Sequence, residues 1–252
     1  MRIIAAGGDV GMSRRWSFVL LWLLAIATTA AFASLGFWQL RREHEKQSML
    51  DAAAQVLTTR AVHSLAAAAD PARVDAYDWA VGRGEFDARP ELLLDNQQRN
   101  GRVGVRAYRI FLPEHGGPLL VDLGWLPLPG DRALPAVPRP EGTLELRGLL
   151  APPPSTGISL GRGLMRTDNG WLLTRVDMDA IAAGTGLPVP LAPRVLRLDP
   201  AMDLGFERDL ELLANTLPPA KHQGYAVQWF GLALTVLATA LILTFRRSRS
   251  PR

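Results

Sequence analysis

The sequence predicts an α+β membrane protein: two transmembrane helices anchoring one small, mainly antiparallel β extracytoplasmic domain. Three observations predict it. Trp16–Leu40 and Gln223–Phe245 are runs of 25 and 23 residues without a charge. Between them, short stretches rich in Val, Leu, Tyr and Phe are separated by Asn-Gly, Pro-Gly and proline-rich turn signals. The net positive charge sits at the two chain ends.

At about 1.5 Å per residue, the two apolar runs reach roughly 37 and 34 Å as helices, enough to cross a hydrocarbon core of about 30 Å with some tilt. No stretch between them comes close. The first run has a rival reading. Arg14 and Arg15 precede it, and Ala31-Phe32-Ala33 resembles a signal-peptidase site. The run is long for a signal peptide, however, and continues beyond that site through Leu35, Phe37 and Trp38. Trp16 and Trp38 fall near its two ends, where interfacial tryptophans are expected.

Residues 1–15 carry a net charge of +2 and residues 246–252 a net +4, so the other 230 residues sum to −2. Basic flanks favour the cytoplasmic side. Arg41, Arg42 and Lys46 argue weakly the other way. The expected order is a cytoplasmic tail (1–15), a first span (16–40), an extracytoplasmic, periplasmic β-rich domain (41–222), a second span (223–245) and a basic cytoplasmic tail (246–252). This places the chain in a bacterial inner membrane as a multi-pass protein with both termini cytoplasmic. A mitochondrial inner membrane would give the same pattern, with the matrix as the inner side.

Within the domain, residues 41–57 read as a continuation of the first helix, and 60–75 as a linker or short helix ending at Asp70-Pro71. Strands are expected over 77–86, 91–96, 103–112, 119–126, 143–150, 170–176 and 194–198, forming a small sheet or partial barrel. Residues 151–163 read as loop. Asp177 is placed to cap a short helix ending at Gly184.

Composition removes several function classes. With 48% hydrophobic and 21% charged residues the chain is not broadly disordered. With no cysteine it has no disulfide, thiol nucleophile, iron–sulfur site, cysteine zinc site or c-type haem attachment. Because the basic charge sits at the ends, the body is not expected to bind nucleic acid. The four histidines, His44, His63, His115 and His222, include no i,i+3 or i,i+4 pair for a helical metal site. His63 and His115 are expected to be solvent-exposed. There is no G-x-S-x-G elbow, phosphate loop or dinucleotide fingerprint. Gly161-Arg162-Gly163 reads as a flexible loop, and helix capping explains Asp177 better than acid–base work with Asp179. Enzymatic activity is not expected.

His222 stands at the outer mouth of the second span, with Tyr225 and Trp229 following at i+3 and i+7 and Gln228 close to that stripe. A neutral imidazole can ligate haem iron and aromatic rings can wall a macrocycle. Arg41, Arg42 and Lys46 emerge at the same surface and could pair with propionates. The same residue types also suit a plain headgroup anchor, since each has an apolar body and a polar tip. The residues alone leave both readings open.

Four segments carry a resemblance to the surfeit locus protein 1 family. The first is Leu35-Gly36-Phe37-Trp38-Gln39-Leu40-Arg41-Arg42, followed by Lys46. Two lie in the domain: Gly84-Glu85-Phe86-Asp87 leading into Glu91–Leu94 with Asn100-Gly101 into Gly104-Val105, and Leu120–Pro127 containing Gly124-Trp125. The last is His222-Gln223-Gly224-Tyr225-Ala226-Val227-Gln228-Trp229-Phe230. Asp122-Leu123 departs from the Asn-Arg usual before Gly-Trp. The resemblance, running from about residue 34 to 235, implies an assembly factor for a haem–copper terminal oxidase (cytochrome c oxidase). Such a factor holds or delivers haem a to subunit I. His222 would be the metal ligand, Tyr225 and Trp229 would line the site, and Arg42 would join them in binding the cofactor. Subunit I, haem A synthase and the lipid bilayer are the implied partners, with a homo-oligomer left open. A scaffold that binds nascent oxidase subunits without haem, or an envelope enzyme built from scattered residues, are the alternatives. Gly124 and Trp125 are expected to serve packing at a strand end.

Overall fold

The structure, a computed structural model, describes residues 14–154, 163–213 and 216–248. Most of the two terminal tails and the Gly161-Arg162 part of the expected loop lie outside the described residues. The chain divides into two units, one comprising residues up to Gln47 with those from Leu217, the other Ser48–Thr216.

The first unit is a pair of helices. Helix α1 runs unbroken over Arg14–Thr59, a short helix α2 covers Met178–Thr185 in the other unit, and the return helix, α3, covers Pro219–Ser248. Helices α1 and α3 are long and apolar enough to cross a membrane. Contacts run in opposite order along them. Trp22 Nε1 donates to Thr244 Oγ1 at 3.1 Å, the Phe32 and Trp229 rings are 5.6 Å apart, and Phe37 meets Phe230 edge-on at 5.2 Å. The helices are therefore antiparallel, and the first turn of α1 lies at the same end of the pair as the last turn of α3. Gly36 permits the closest approach: a Cβ there would stand 2.6 Å from the Phe230 ring. Leu23, Leu24, Leu234 and Leu243 are exposed on the outside of the pair.

The second unit is β-rich. Its strands are β1 (Val62–Ser64), β2 (Asp78–Phe86), β3 (Leu92–Arg99), β4 (Arg102–Pro113), β5 (Leu119–Pro127), β6 (Leu144–Ala151), β7 (Leu164–Arg166), β8 (Trp171–Leu173) and β9 (Val195–Leu198). They form a sheet ordered β1-β2-β6-β9-β5-β4-β3-β8-β7. A further β2–β4 pairing, with Gly84 opposite Pro113 and Phe86 opposite Phe111, closes β2, β6, β9, β5 and β4 into a ring. The expected partial barrel is thus a closed one of five strands, with the remaining strands as an extension of the sheet.

Alternation along the strands fills it. Ala80, Phe86, Val105, Ala107, Phe111, Val121, Leu123, Leu146, Leu150, Leu196 and Leu198 form one buried cluster. The opposite face of β3–β5 and β9 carries Leu92, Leu94, Ile110, Leu120 and Val195, which pack on Ile181 of α2 (Met178–Thr185). Ala53, Val56 and Leu57, at the end of α1, pack with Tyr77, Leu149 and Ala151.

The sheet is mainly antiparallel, as expected, with some parallel pairings that make it mixed. Among the described residues six pairings are antiparallel, and β1–β2, β3–β8 and β5–β9 are parallel. The β5–β9 pairing is parallel because β9 follows a crossover through α2 and inserts between β5 and β6 rather than extending a meander. Residues 60–75 are not a linker: β1 and two 3-10 turns, Leu65–Ala69 and Pro71–Arg73, pin them to the sheet. The strand expected over 170–176 is only Trp171–Leu173, and β7 was not expected. Asp177 caps α2 by accepting from the Ala180 N–H, but Gly184 lies within the helix. Gly186, at φ 68°, ends it, since the left-handed conformation favours glycine. Asn100 and Gly101 both have positive φ in the two-residue β3–β4 hairpin, as that turn requires.

Candidate functional site

Residues 39–46 of α1 and 217–230 of α3 meet at one end of the helix pair. On α1 the buried residues Gly36, Gln39 and Lys46 fall on one face, three and then seven residues apart. On α3 the inward stripe is His222, Ala226 and Ala233, all buried. His222 is 7% exposed and its Nδ1 stands 2.7 Å from Oε1 of Gln39, across 183 residues of sequence. Its Nε2 is buried and has no hydrogen-bond partner.

Carbonyl Oε1 has lone pairs and no proton, so the contact is a bond only when Nδ1 carries the hydrogen and donates. Nε2 is then the unprotonated nitrogen, a buried lone pair. A buried acceptor left unpaired costs free energy and points to a missing partner.

The remaining expected residues are dispersed around this centre. Tyr225 is exposed, one position off the inward stripe, and Gln228 is exposed as well. Trp229 is half-buried against Phe32. Arg42 is exposed and pairs with Glu45 at 2.7 Å on its own helix. Arg41 is exposed. Lys46 is buried and donates to the Leu217 carbonyl, five residues before His222, tying α1 to the segment that enters α3. It is thus engaged by protein rather than held out toward solvent.

Gln39 is the residue that sequence reasoning left without a role. The signal was its position. It is the last uncharged polar side chain of an apolar run, three residues after Gly36, in a segment already singled out as a motif. What could not be read was which residue of the second span it would meet.

The other histidines fall elsewhere. His115 is exposed in the β4–β5 turn, as expected. His63 is half-exposed in β1, not in a linker, with Nε2 3.6 Å from Oδ1 of Asp78. Among the described residues no group of three or more His, Asp or Glu side chains converges as a metal cluster. The domain motifs have packing roles. Trp125 is buried, donates Nε1–H to the Gln97 carbonyl at 3.0 Å and lies under the Arg102 guanidinium. Gly124, at φ 116°, lets the Phe206–Glu207 backbone approach where a Cβ would clash. Asp122, the departure from the family pattern, accepts from Arg106 at 2.7 Å and from the Gly124 N–H, which neutralises a buried arginine.

No curated protein matches the chain in a sequence search. The model of the SURF1 family matches residues 26–234, which takes in most of α1, the first half of α3, the whole barrel, Gln39 and His222. The chain belongs to the SURF1 family, which is linked to cytochrome oxidase assembly.

Proposed function

We propose that this protein is a membrane-anchored assembly factor for a haem–copper terminal oxidase, that it holds haem a for subunit I through His222, and that it is not an enzyme. Both helices span a bacterial inner membrane, both termini are cytoplasmic, and residues 41–222 face the periplasm. Subunit I and haem A synthase are the expected partners.

The single observation that carries the haem reading is the buried, unpartnered Nε2 of His222. Its chemistry fits an axial ligand: a neutral imidazole whose other nitrogen is held by a second residue. When bound, haem would supply iron as the partner that Nε2 lacks. Trp229 and Tyr225 would offer aromatic walls, and Arg42 a cation for a propionate. A single protein ligand would suit a transient holder, because one bond to the protein would be given up more readily than two.

The complete burial of Nε2 favours the second reading, a scaffold that binds nascent oxidase subunits without cofactor. Loading requires the helix ends to part locally. Protein purified in detergent from cells that make haem a separates the two. The expected result is a haem spectrum in the wild type that His222→Ala weakens or abolishes, with helix content and subunit I co-purification retained. Colourless wild-type protein that still co-purifies with subunit I overturns the haem reading in favour of the scaffold.

A further inference from the structure

We infer that Gln39 is a positioning residue for His222: its side-chain carbonyl holds the proton on Nδ1 and thereby presents Nε2 as a bare lone pair to the ligand. The inference rests on the haem reading above for the ligand, but not for the proton's place.

Geometry supports it in three steps. The Nδ1–Oε1 separation of 2.7 Å is a full hydrogen bond, and both side chains are buried, so water does not compete for either atom. Oε1 is an acceptor only, so the bond selects the tautomer protonated on Nδ1. That tautomer is the less populated one of a free histidine, whereas ligation through Nε2 needs it. Without the glutamine, the imidazole would rest with its proton on the nitrogen that must bind metal. The register that brings the two side chains together is set nearby. Gly36, one turn before Gln39, lies against Phe230, which is two turns after His222.

Metal-binding histidines commonly donate their second N–H to a carbonyl or carboxylate, and loss of that partner costs about 10–100-fold in affinity. Here the partner comes from the other helix. One consequence is that the tautomer is set while α1 and α3 are paired, before the ligand enters. Separation of the helices would release the ring and its proton together.

The test uses full-length protein in detergent, labelled with 15N-histidine and free of haem. His222→Ala identifies the His222 signals among those of the four histidines. The nitrogen shifts report which ring nitrogen carries the proton. The wild type is expected to show the Nδ1–H form. Gln39→Leu should shift it to the Nε2–H form or a mixture. Gln39→Glu, which keeps an acceptor at that place, should retain Nδ1–H and shows that the effect is not general loosening. Titration with ferrous protoporphyrin IX, followed by its Soret band, should give about 10–100-fold weaker binding for Gln39→Leu than for wild type, with Gln39→Glu closer to wild type. An Nε2–H form in the wild type overturns the inference, as does a Gln39→Leu variant with unchanged tautomer or unchanged affinity. An Nδ1–H wild type that binds no haem overturns the haem reading alone and leaves Gln39 as the residue that sets the ring.

Discussion

At the scale of single residues, the β-rich unit buries several charged side chains and sets arginines against carboxylates there. Arg194 is fully buried, and its guanidinium donates to Asp78 Oδ2 at 2.6 Å and to the Ala67 carbonyl. Asp78 also takes a bidentate pair of bonds from Arg73. Burial works to raise the Asp78 pKa, but hydrogen bonds and charge from Arg73 and Arg194 together outweigh it and hold the carboxyl below its usual range. Removing one member of such a pair strands the other. Asp78→Asn is expected to cost about 3–5 kcal/mol, read as a lowered thermal midpoint of the β-rich unit.

The same pairs set a pH dependence. Asp199 and Asp209 are also held low: burial opposes ionisation, and it is outweighed for Asp199 by the Ala201 N–H and Arg147, and for Asp209 by Arg99 and the Glu211 N–H. A carboxylate whose folded pKa lies below its unfolded value of about 3.9 stabilises the fold above that value. The stabilisation fades as pH falls through about 3.9 toward the folded pKa. Circular dichroism against pH should therefore show the β-rich unit stable through neutral and mildly acidic pH and unfolding below about pH 4, with a shallower acid limb in Asp78→Asn. Equal limbs in the two proteins would contradict this role for Asp78.

At the scale of elements, two glycines decide close approaches. Gly84 lies where β2 meets β4, and a Cβ there would stand 2.2 Å from the Leu112 carbonyl oxygen. Gly84→Ala should strain the pairing that closes the barrel, at about 1–3 kcal/mol by denaturant titration. Gly36 does the corresponding work for the helix pair. Because the chain has no cysteine, a Trp22→Cys/Thr244→Cys variant reports that pairing through its own cross-link. Adding Gly36→Leu is expected to lower the cross-linking yield.

These elements also show what the sequence made legible. Both long helices followed from charge-free runs, and β2 to β6 from alternation bounded by turn residues, each within a few residues of its observed ends. The pairing did not. β9 has four residues, and nothing in Val195–Leu198 says that it will insert between β5 and β6. β7 has three residues, too few for a period to show. The end of α2 was misplaced because Gly184 and Gly186 are equivalent by composition, and only the backbone shows which takes the left-handed turn. His222 was legible as a candidate because it stands beside aromatics at a span's edge. Its bond to Gln39 was not, because pattern along one helix says nothing of the register against another.

For the whole molecule, the described residues comprise a two-helix unit and a closed-barrel unit in one SURF1-family chain. The proposed orientation places the barrel on the outer side of the membrane. A single cysteine at the exposed position 115 is expected to react with a membrane-impermeant maleimide added to spheroplasts, and labelling only after lysis would reverse the orientation.

The proposed role is tested most directly by the haem a content of the terminal oxidase in membranes of cells lacking this protein, complemented with wild type or with His222→Ala at matched levels. Wild type should restore the haem a absorption of the oxidase, and His222→Ala should leave it deficient although apo-subunit I is present. Full restoration by His222→Ala would contradict a haem-holding imidazole between the two helices.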